Sequence, residues 1–196
     1  MATFLYLLPN LLSLARIGIV PVVIWALLDG RTGVALWLFL LAGLSDALDG
    51  YIARRFDART EFGAYIDPIA DKALLMSVYV TLGYLGGLPN WLVILVVFRD
   101  TLIVGGVILL QTMGYKVAMA PLLISKANTV AQVGLVLAVL AGTVLAQAGD
   151  PWDGYSWIDG WPVKALTLLV ASTTLFSGAA YVWIWGSRAM IGERQQ

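Results

Sequence analysis

The sequence contains no cysteine and no histidine among its 196 residues. Disulfides, thiolate nucleophiles, imidazole bases and the usual zinc sites are therefore excluded. Charge is also scarce, since only 12% of the residues are charged, about half the fraction that is typical of soluble domains. The formal net charge is zero, so we expect no nucleic-acid partner. Any catalysis must use carboxylates, arginine, lysine, hydroxyl groups or bound metal.

Apolar residues dominate the chain. Hydrophobic residues make up 60% of the chain and the mean hydropathy is +0.86, which is typical of a protein with several membrane-spanning segments. A spanning helix needs about 20 mostly apolar residues, and the apolar runs here are longer than barrel strands and do not alternate. We therefore expect an all-α integral membrane protein with a single domain over 1–196. The expected transmembrane helices lie near 10–28, 33–54, 61–85, 91–111, 126–148 and 162–185.

The basic residues indicate an orientation for these helices. If the N-terminus is inside, the outer loops hold only Arg31 and Lys164. The positive-inside rule then places both the N- and C-termini in the cytoplasm. We expect the membrane to be a bacterial inner (cytoplasmic) membrane, because the chain is compact and shows no transit peptide. The inner helix ends hold a larger set of basic residues, Arg54, Arg55, Arg59, Lys116, Lys126, Arg188 and Arg194.

Four aspartates interrupt the apolar sequence: Asp46, Asp49, Asp67 and Asp71. Each charge at bilayer depth costs about 2.5–3.5 kcal/mol on insertion scales, so a compensating partner is expected. At about 100° per residue, the first two share a face of the second helix and the last two form a stripe on the third. A short loop joins these helices at the cytoplasmic surface. We therefore expect the four carboxylates to face one another at one level, in a site that opens to the cytoplasm.

Carboxylates without histidine or cysteine favour hard cations such as Mg²⁺ or Mn²⁺, with Ca²⁺ as a further candidate. Four carboxylates can hold two such ions, and two-metal sites serve in-line phosphoryl displacement. Gly50 and Gly63 leave room for a phosphate or nucleotide to approach the backbone, or for close helix packing. Arg54 is a two-pronged donor for a diphosphate, or equally a surface arginine at the membrane boundary.

Two other interpretations of the acids stay open at this point. They could form buried ion pairs with Arg16, Lys72 and Arg99, although Lys72 lies about 100° from Asp71 on the helix. They could also mark the pathway of a divalent-cation transporter. Transport would require polar residues toward the outer face, and the outer halves of the second, third and fifth helices are almost wholly apolar. A purely structural role predicts that Asp→Asn changes leave function intact.

The whole pattern from Asp46 to Asp71, D-x₂-D-G-x₂-A-R-x₈-G-x₃-D-x₃-D, resembles the signature of the CDP-alcohol phosphotransferases. The segment PNLLSLAR near the N-terminus is similar to a second element of that family, with Ser13 where threonine is common. The resemblance implies six helices, a homodimer, and displacement of CMP from CDP-diacylglycerol by an alcohol. It implies that Asp46, Asp49, Asp67 and Asp71 bind metal and that Asp71 takes the proton of the acceptor hydroxyl. The implied contacts to the CDP-lipid are Asn10, Ser13, Gly50, Ala53, Arg54, Thr60 and Gly63.

The acceptor alcohol is predicted from weaker cues. The segments ISKANTVAQ (124–132) and FRDTLIVGG (98–106) resemble the CMP-forming cardiolipin synthase branch of the family, whereas phosphatidylglycerophosphate synthases share DPIADK but usually differ in the fourth helix. These cues favour phosphatidylglycerol over glycerol 3-phosphate as acceptor. Arg99 and its neighbour Asp100 should face different sides of their helix, so each is expected to need another partner. Arg99 and Lys126 are the predicted contacts to the acceptor phosphates, although Lys126 is equally well explained as an anchor at the inner surface.

Overall fold

A computed structural model of the chain describes residues 2–56, 61–112, 123–148 and 160–192, with side chains in 14–45, 72–106, 123–148 and 160–183. Every regular element in these ranges is an α-helix. The all-helical prediction is therefore confirmed for the described residues. The six helices are α1 (Ala2–Leu28), α2 (Thr32–Phe56), α3 (Glu61–Tyr84), α4 (Asn90–Thr112), α5 (Leu123–Gln147) and α6 (Trp161–Gly192).

The six helices form a closed ring in which neighbours pack side by side. The order around the ring is α1, α3, α4, α6, α5, α2 and back to α1. In addition, α3 contacts α5 across the ring, where the Tyr79 hydroxyl donates a hydrogen bond to the backbone carbonyl of Gln132 at 3.2 Å. This order places helices that are distant in sequence next to each other, because α2 lies against α5 and α4 lies against α6.

Two tight turns at the same end of the ring join α1 to α2 and α3 to α4. Each contains a glycine with a left-handed backbone, Gly30 with φ 74° and Gly86 with φ 78°. In the first turn the Gly30 amide donates to the Leu27 carbonyl at 3.1 Å and the Arg31 amide to the Ala26 carbonyl at 2.8 Å. This pair of bonds is a Schellman motif, which uses glycine at the left-handed position to end a helix. The turn at Gly86 repeats the same pattern.

Replacing Gly30 with alanine is expected to lower the free energy of unfolding by about 1 kcal/mol, because an L-residue is strained in the left-handed conformation. Steric contact is not the cause, since an added Cβ would meet no atom within 4 Å. Gly43 in α2 offers the same open space, so Gly43→Ala is the matched control and should be neutral or stabilising. Thermal unfolding in detergent measures both. Equal shifts in Tm for the two variants would contradict the strain argument.

Among the described side chains, the buried apolar cluster lies toward the end of the bundle that carries these two turns. Its fully buried members include Val23 on α1, Val78 on α3, Leu92 on α4 and Leu140 on α5. The opposite end, here called the motif end, contains the C-terminal part of α2 and the N-terminal part of α3.

The outside of the described bundle is also apolar. Large side chains point outward on several helices, with Trp37, Ile94, Phe98, Val130 and Phe176 each 65–72% exposed. Arg16, Arg99 and Asp100 are buried inside the bundle instead. Such an arrangement is unfavourable in water and favourable when the surrounding solvent is lipid. The structure therefore supports association with a membrane.

By length and composition, two helical segments among the described residues are able to cross a membrane, Leu123–Gln147 and Trp161–Trp183. Leu14–Leu28 and Thr32–Ser45 are shorter apolar helices. The prediction of a helical membrane protein thus has support from these segments. The number of spanning helices and the side on which the termini lie stay predictions.

Candidate active site

The aspartate motif lies on the parts of α2 and α3 that are remote from the two tight turns. Asp46 and Asp49 belong to the C-terminal half of α2, and Asp67 and Asp71 to the N-terminal half of α3. The backbone therefore carries all four predicted ligands at the motif end. Their side chains lie outside the described residues, as do those of Asn10, Ser13, Gly50, Ala53, Arg54 and Gly63, and Thr60 lies outside them entirely.

Helix α1 is the common neighbour of the two helices that carry the motif. It packs against α2 on one side and against α3 on the other. Its N-terminal half, which contains Asn10 and Ser13, extends toward the motif end because Leu28 enters the tight turn at the other end. The fold therefore brings the two sequence elements that resemble the family signature to one end of the ring.

A buried ion network of Lys72, Arg99 and Asp100 joins α3 to α4. Asp100 is only 1% exposed. One of its carboxylate oxygens accepts a hydrogen bond from Lys72 Nζ at 2.7 Å, and the other accepts one from Arg99 Nη1 at 2.6 Å. Lys72 directly follows Asp71 in the sequence. The ion network therefore begins one residue from the aspartate motif.

Arg99 and Asp100 each have a partner on another helix, as expected, since Lys72 binds Asp100 and two serine hydroxyls bind Arg99. The expectation that the two side chains avoid each other is wrong, because they also form a direct ion pair. Their Cβ atoms do diverge by about 100° around the helix. The long arginine side chain nevertheless bends back, because a buried charge gains far more from a nearby opposite charge than it would in water. The alternative in which Lys72 and Arg99 neutralise the motif aspartates also loses support, because both cations bind Asp100.

Arg99 extends the network from α4 to α5 and α6. Its Nη2 donates to the hydroxyl of Ser125 on α5 at 2.7 Å and to the hydroxyl of Ser177 on α6. The ring of Tyr181 lies 6.0 Å from the guanidinium carbon. The buried Nε has no hydrogen-bond partner among the described residues. Sequence reasoning found Arg99 but missed these hydroxyl partners, because single serines in apolar helices carry no periodic signal.

The second predicted acceptor contact, Lys126, has a different environment from Arg99. It is exposed in the first turn of α5, at the motif end. Its neighbour Ser125 binds Arg99, so the two predicted contacts lie at the same level but at different depths within the bundle. This position fits a contact to an acceptor phosphate and an anchor at the membrane surface equally well.

Further buried polar side chains follow Ser125 along α5. The amide oxygen of Asn128 accepts hydrogen bonds from the hydroxyls of Thr173 at 2.8 Å and Thr174 at 2.9 Å, both on α6. Gln132 lies one helical turn beyond and is also fully buried. Asn128 Nδ2 and both amide atoms of Gln132 have no hydrogen-bond partner among the described residues. Sequence reasoning did not single out these amides, which extend the polar interior from Arg99 toward the apolar core.

The arrangement of helices, motif and buried charges can now be compared with known proteins. A model of the family described as CDP-alcohol phosphatidyltransferase matches residues 6–186, a range that contains the aspartate motif and the ion network. The chain belongs to this family. The resemblance predicted from the sequence is therefore confirmed. Membership in a family of transferases favours an enzyme over a divalent-cation transporter.

Curated relatives of this CDP-alcohol phosphatidyltransferase include cardiolipin synthases and phosphatidylglycerophosphate synthases. Cardiolipin synthase (CMP-forming) of Rattus norvegicus is 34% identical over 189 residues, which cover 88% of this chain and 59% of the relative. The chloroplastic CDP-diacylglycerol--glycerol-3-phosphate 3-phosphatidyltransferase 1 of Oryza sativa subsp. japonica is 35% identical over 191 residues, which cover 89% of this chain and 55% of the relative. A probable phosphatidylglycerophosphate synthase of Mycobacterium tuberculosis is 41% identical over 99 residues, which cover 47% of each chain. The chain spans less than two thirds of the length of these relatives.

Members of this family generally depend on a divalent metal ion. The donor set of this chain fits such an ion, because the motif supplies oxygen ligands alone and the sequence has no cysteine or histidine. Lys72 and Arg99 have Asp100 as a carboxylate of their own, so they do not account for the four motif aspartates. Where side chains are described, no group of three acidic residues could hold a metal. The motif aspartates are therefore the candidate ligands.

Proposed function

We propose that the chain catalyses metal-dependent transfer of a phosphatidyl group from CDP-diacylglycerol to a hydroxyl of phosphatidylglycerol, releasing CMP and forming cardiolipin. The observation that carries the proposal is the family match over residues 6–186 with every fixed position of the aspartate motif present within it. The similarity to a CMP-forming cardiolipin synthase over 88% of the chain supports the choice of acceptor.

Asp46, Asp49, Asp67 and Asp71 would hold two Mg²⁺ or Mn²⁺ ions. Bound ions would neutralise the diphosphate and stabilise the negative charge that builds on the departing CMP. Asp71 accepts the proton of the acceptor hydroxyl while the hydroxyl oxygen bonds to phosphorus and the bond from phosphorus to the CMP oxygen breaks. Arg54 donates paired hydrogen bonds to the diphosphate. The remaining proposed contacts to the CDP-lipid are Asn10, Ser13, Gly50, Ala53, Thr60 and Gly63.

We also propose that all six helices cross the membrane, with both termini in the cytoplasm of a bacterium and the site open to that side. Trp161 and Trp183 on α6 are each 80% exposed. They lie about 33 Å apart along the helix axis, which matches a hydrocarbon layer of about 30 Å with tryptophan at both boundaries. The basic residues at the motif end of the helices support the orientation. A homodimer is proposed from the family resemblance alone.

The position of Arg99 favours an acceptor that is itself a membrane lipid. Arg99 lies about 14 Å along α4 from its start at Asn90 and is buried, with its Nε free of partners among the described residues. A lipid phosphate that enters from the membrane would reach this depth. A soluble phosphate ester would instead require several basic side chains at the mouth of the site. Among the described side chains, Lys126 is the exposed basic residue at that mouth. The relatives from rice and Mycobacterium support glycerol 3-phosphate as the alternative acceptor.

The deciding experiment supplies purified protein in detergent with Mg²⁺ or Mn²⁺, CDP-diacylglycerol and one acceptor at a time. CMP release and the mass of the lipid product are both measured. We expect CMP and cardiolipin with phosphatidylglycerol as acceptor. Phosphatidylglycerophosphate without cardiolipin would assign the alternative acceptor, and absence of CMP with every acceptor would contradict phosphatidyl transfer. Omission of the metal is expected to abolish CMP release.

A further inference from the structure

We propose that Asp100 is a positioning residue that holds the Lys72 ammonium away from the metal-binding aspartates. The inference rests on the proposed function, because it assigns the metal to the motif that ends at Asp71. It adds a residue outside the motif that determines how tightly the metal binds.

The geometry of the ion network carries this inference. The Asp100 carboxylate contacts two cations, one through each oxygen, at 2.7 Å from Lys72 Nζ and 2.6 Å from Arg99 Nη1. Asp100 is almost fully buried, whereas the side chain of Lys72 is 28% exposed. Lys72 is thus the movable member of the network, and its ammonium is directed across to α4 by a rigidly enclosed carboxylate.

Without the Asp100 charge, the Lys72 ammonium would be free to turn toward another anion. Asp71 precedes it directly on α3 and is the neighbouring carboxylate in the sequence. Arg99 and Asp100 show that the side chains of adjacent helical residues can reach each other in this protein. An ammonium on Asp71 would occupy oxygen lone pairs that a metal ion needs and would repel the ion by its charge.

A purely structural role for Asp100, as a link between α3 and α4, makes a different prediction. Such a link is lost whenever either partner of the Lys72–Asp100 ion pair is removed, so Lys72→Met should then harm the protein as Asp100→Asn does. If Asp100 acts by restraining Lys72, removal of Lys72 should instead be harmless and should cancel the effect of Asp100→Asn. We expect Arg99 to keep its hydrogen bonds to Ser125 and Ser177 in these variants, because none of the substitutions removes either hydroxyl.

The test compares wild type, Asp100→Asn, Lys72→Met and the double variant in detergent. The affinity for Mn²⁺ is measured from the electron paramagnetic resonance signal of the free ion without lipid substrate, and CMP release is measured against metal concentration. A contacting opposite charge changes the proton affinity of a carboxylate by about tenfold to a thousandfold. We therefore expect Asp100→Asn to weaken Mn²⁺ binding about tenfold, with the rate largely recovered at saturating metal. Lys72→Met and the double variant should bind Mn²⁺ as wild type does.

Several outcomes would overturn the role of Asp100. An unchanged Mn²⁺ affinity in Asp100→Asn, or a double variant that binds no better than Asp100→Asn, would assign it to packing alone. If Asp100→Asn is too unstable to purify, the double variant decides, because positioning requires it to fold and to bind Mn²⁺ with wild-type affinity. A wild-type protein that binds Mn²⁺ but releases no CMP would contradict the proposed function and leave the comparison of affinities intact. A wild-type protein that binds no Mn²⁺ would overturn both.

Discussion

Asparagine in place of Asp71 is expected to lower metal-dependent CMP release by about a thousandfold, because a positioned general base contributes about 10²–10⁴ to a rate. The amide keeps the size of the side chain but accepts no proton and is a poorer metal ligand. CMP release at saturating metal isolates the loss of the base from weaker metal binding. Direct titration with Mn²⁺ reports the remaining affinity of the site.

The control for Asp71→Asn is the same substitution at Asp29. Asp29 lies at the turn between α1 and α2, exposed and bonded to Arg31 at 2.7 Å. Exposed ion pairs contribute little, so Asp29→Asn should leave activity and stability nearly unchanged. Near-wild-type transfer by Asp71→Asn with metal still bound would show that Asp71 is not the base. The three other motif aspartates would then be the remaining candidates.

Methionine in place of Arg99 is expected to lower kcat/KM for phosphatidylglycerol by about 100-fold, as hydrogen bonds to charged groups are worth about 1.5–3 kcal/mol. The affinity for CDP-diacylglycerol should change little, because the proposed contacts to that substrate lie on α1, α2 and α3. Asp100 keeps Lys72 as its partner in this variant, so no isolated buried charge is created. Steady-state rates with each substrate varied in turn separate the two effects.

Two further variants test the role of Arg99 itself. Arg99→Lys retains the charge without the two-pronged geometry and should give an intermediate loss. Ser177→Ala removes one hydrogen-bond partner of the guanidinium and should have a small effect on the use of acceptor. A uniform loss with both substrates, together with a lower Tm in Arg99→Met, would identify Arg99 as a structural link between α4, α5 and α6 and would contradict its proposed contact with the acceptor.

The helices could be predicted because membrane-spanning length and apolar composition are local properties of the sequence. The observed bounds of the helices differ from the predicted bounds mainly at the ends of the chain. Helix α1 begins at Ala2 rather than near Asn10, and α6 continues to Gly192 rather than ending near Trp185. The order of helices around the ring could not be predicted. Hydropathy does not distinguish a helix face that packs on α5 from one that faces lipid, because both faces are apolar.

The site was predictable to the extent that its residues are close in sequence. Asp46 and Asp71 belong to one motif within two consecutive helices, so the short loop that joins these helices assigns both residues to a common end of the bundle. The partners of Arg99 come from α4, α5 and α6, and no spacing in the sequence relates Ser125 to Ser177. Helical phase also missed the pairing of Asp100 with Arg99, because it describes the direction of Cβ and ignores the reach of a long side chain.

The sequence by itself determined the chemistry that is open to this protein: helices in a membrane, oxygen ligands for a hard metal ion, and a motif typical of CDP-alcohol phosphatidyltransferases. These properties depend on residue type and on spacing along one or two helices. Only the tertiary structure decided that Lys72 and Arg99 share Asp100, since this pairing requires α3 and α4 to lie side by side in the ring. Buried charges pair with whatever the packing places within reach, and packing is a property of the whole chain.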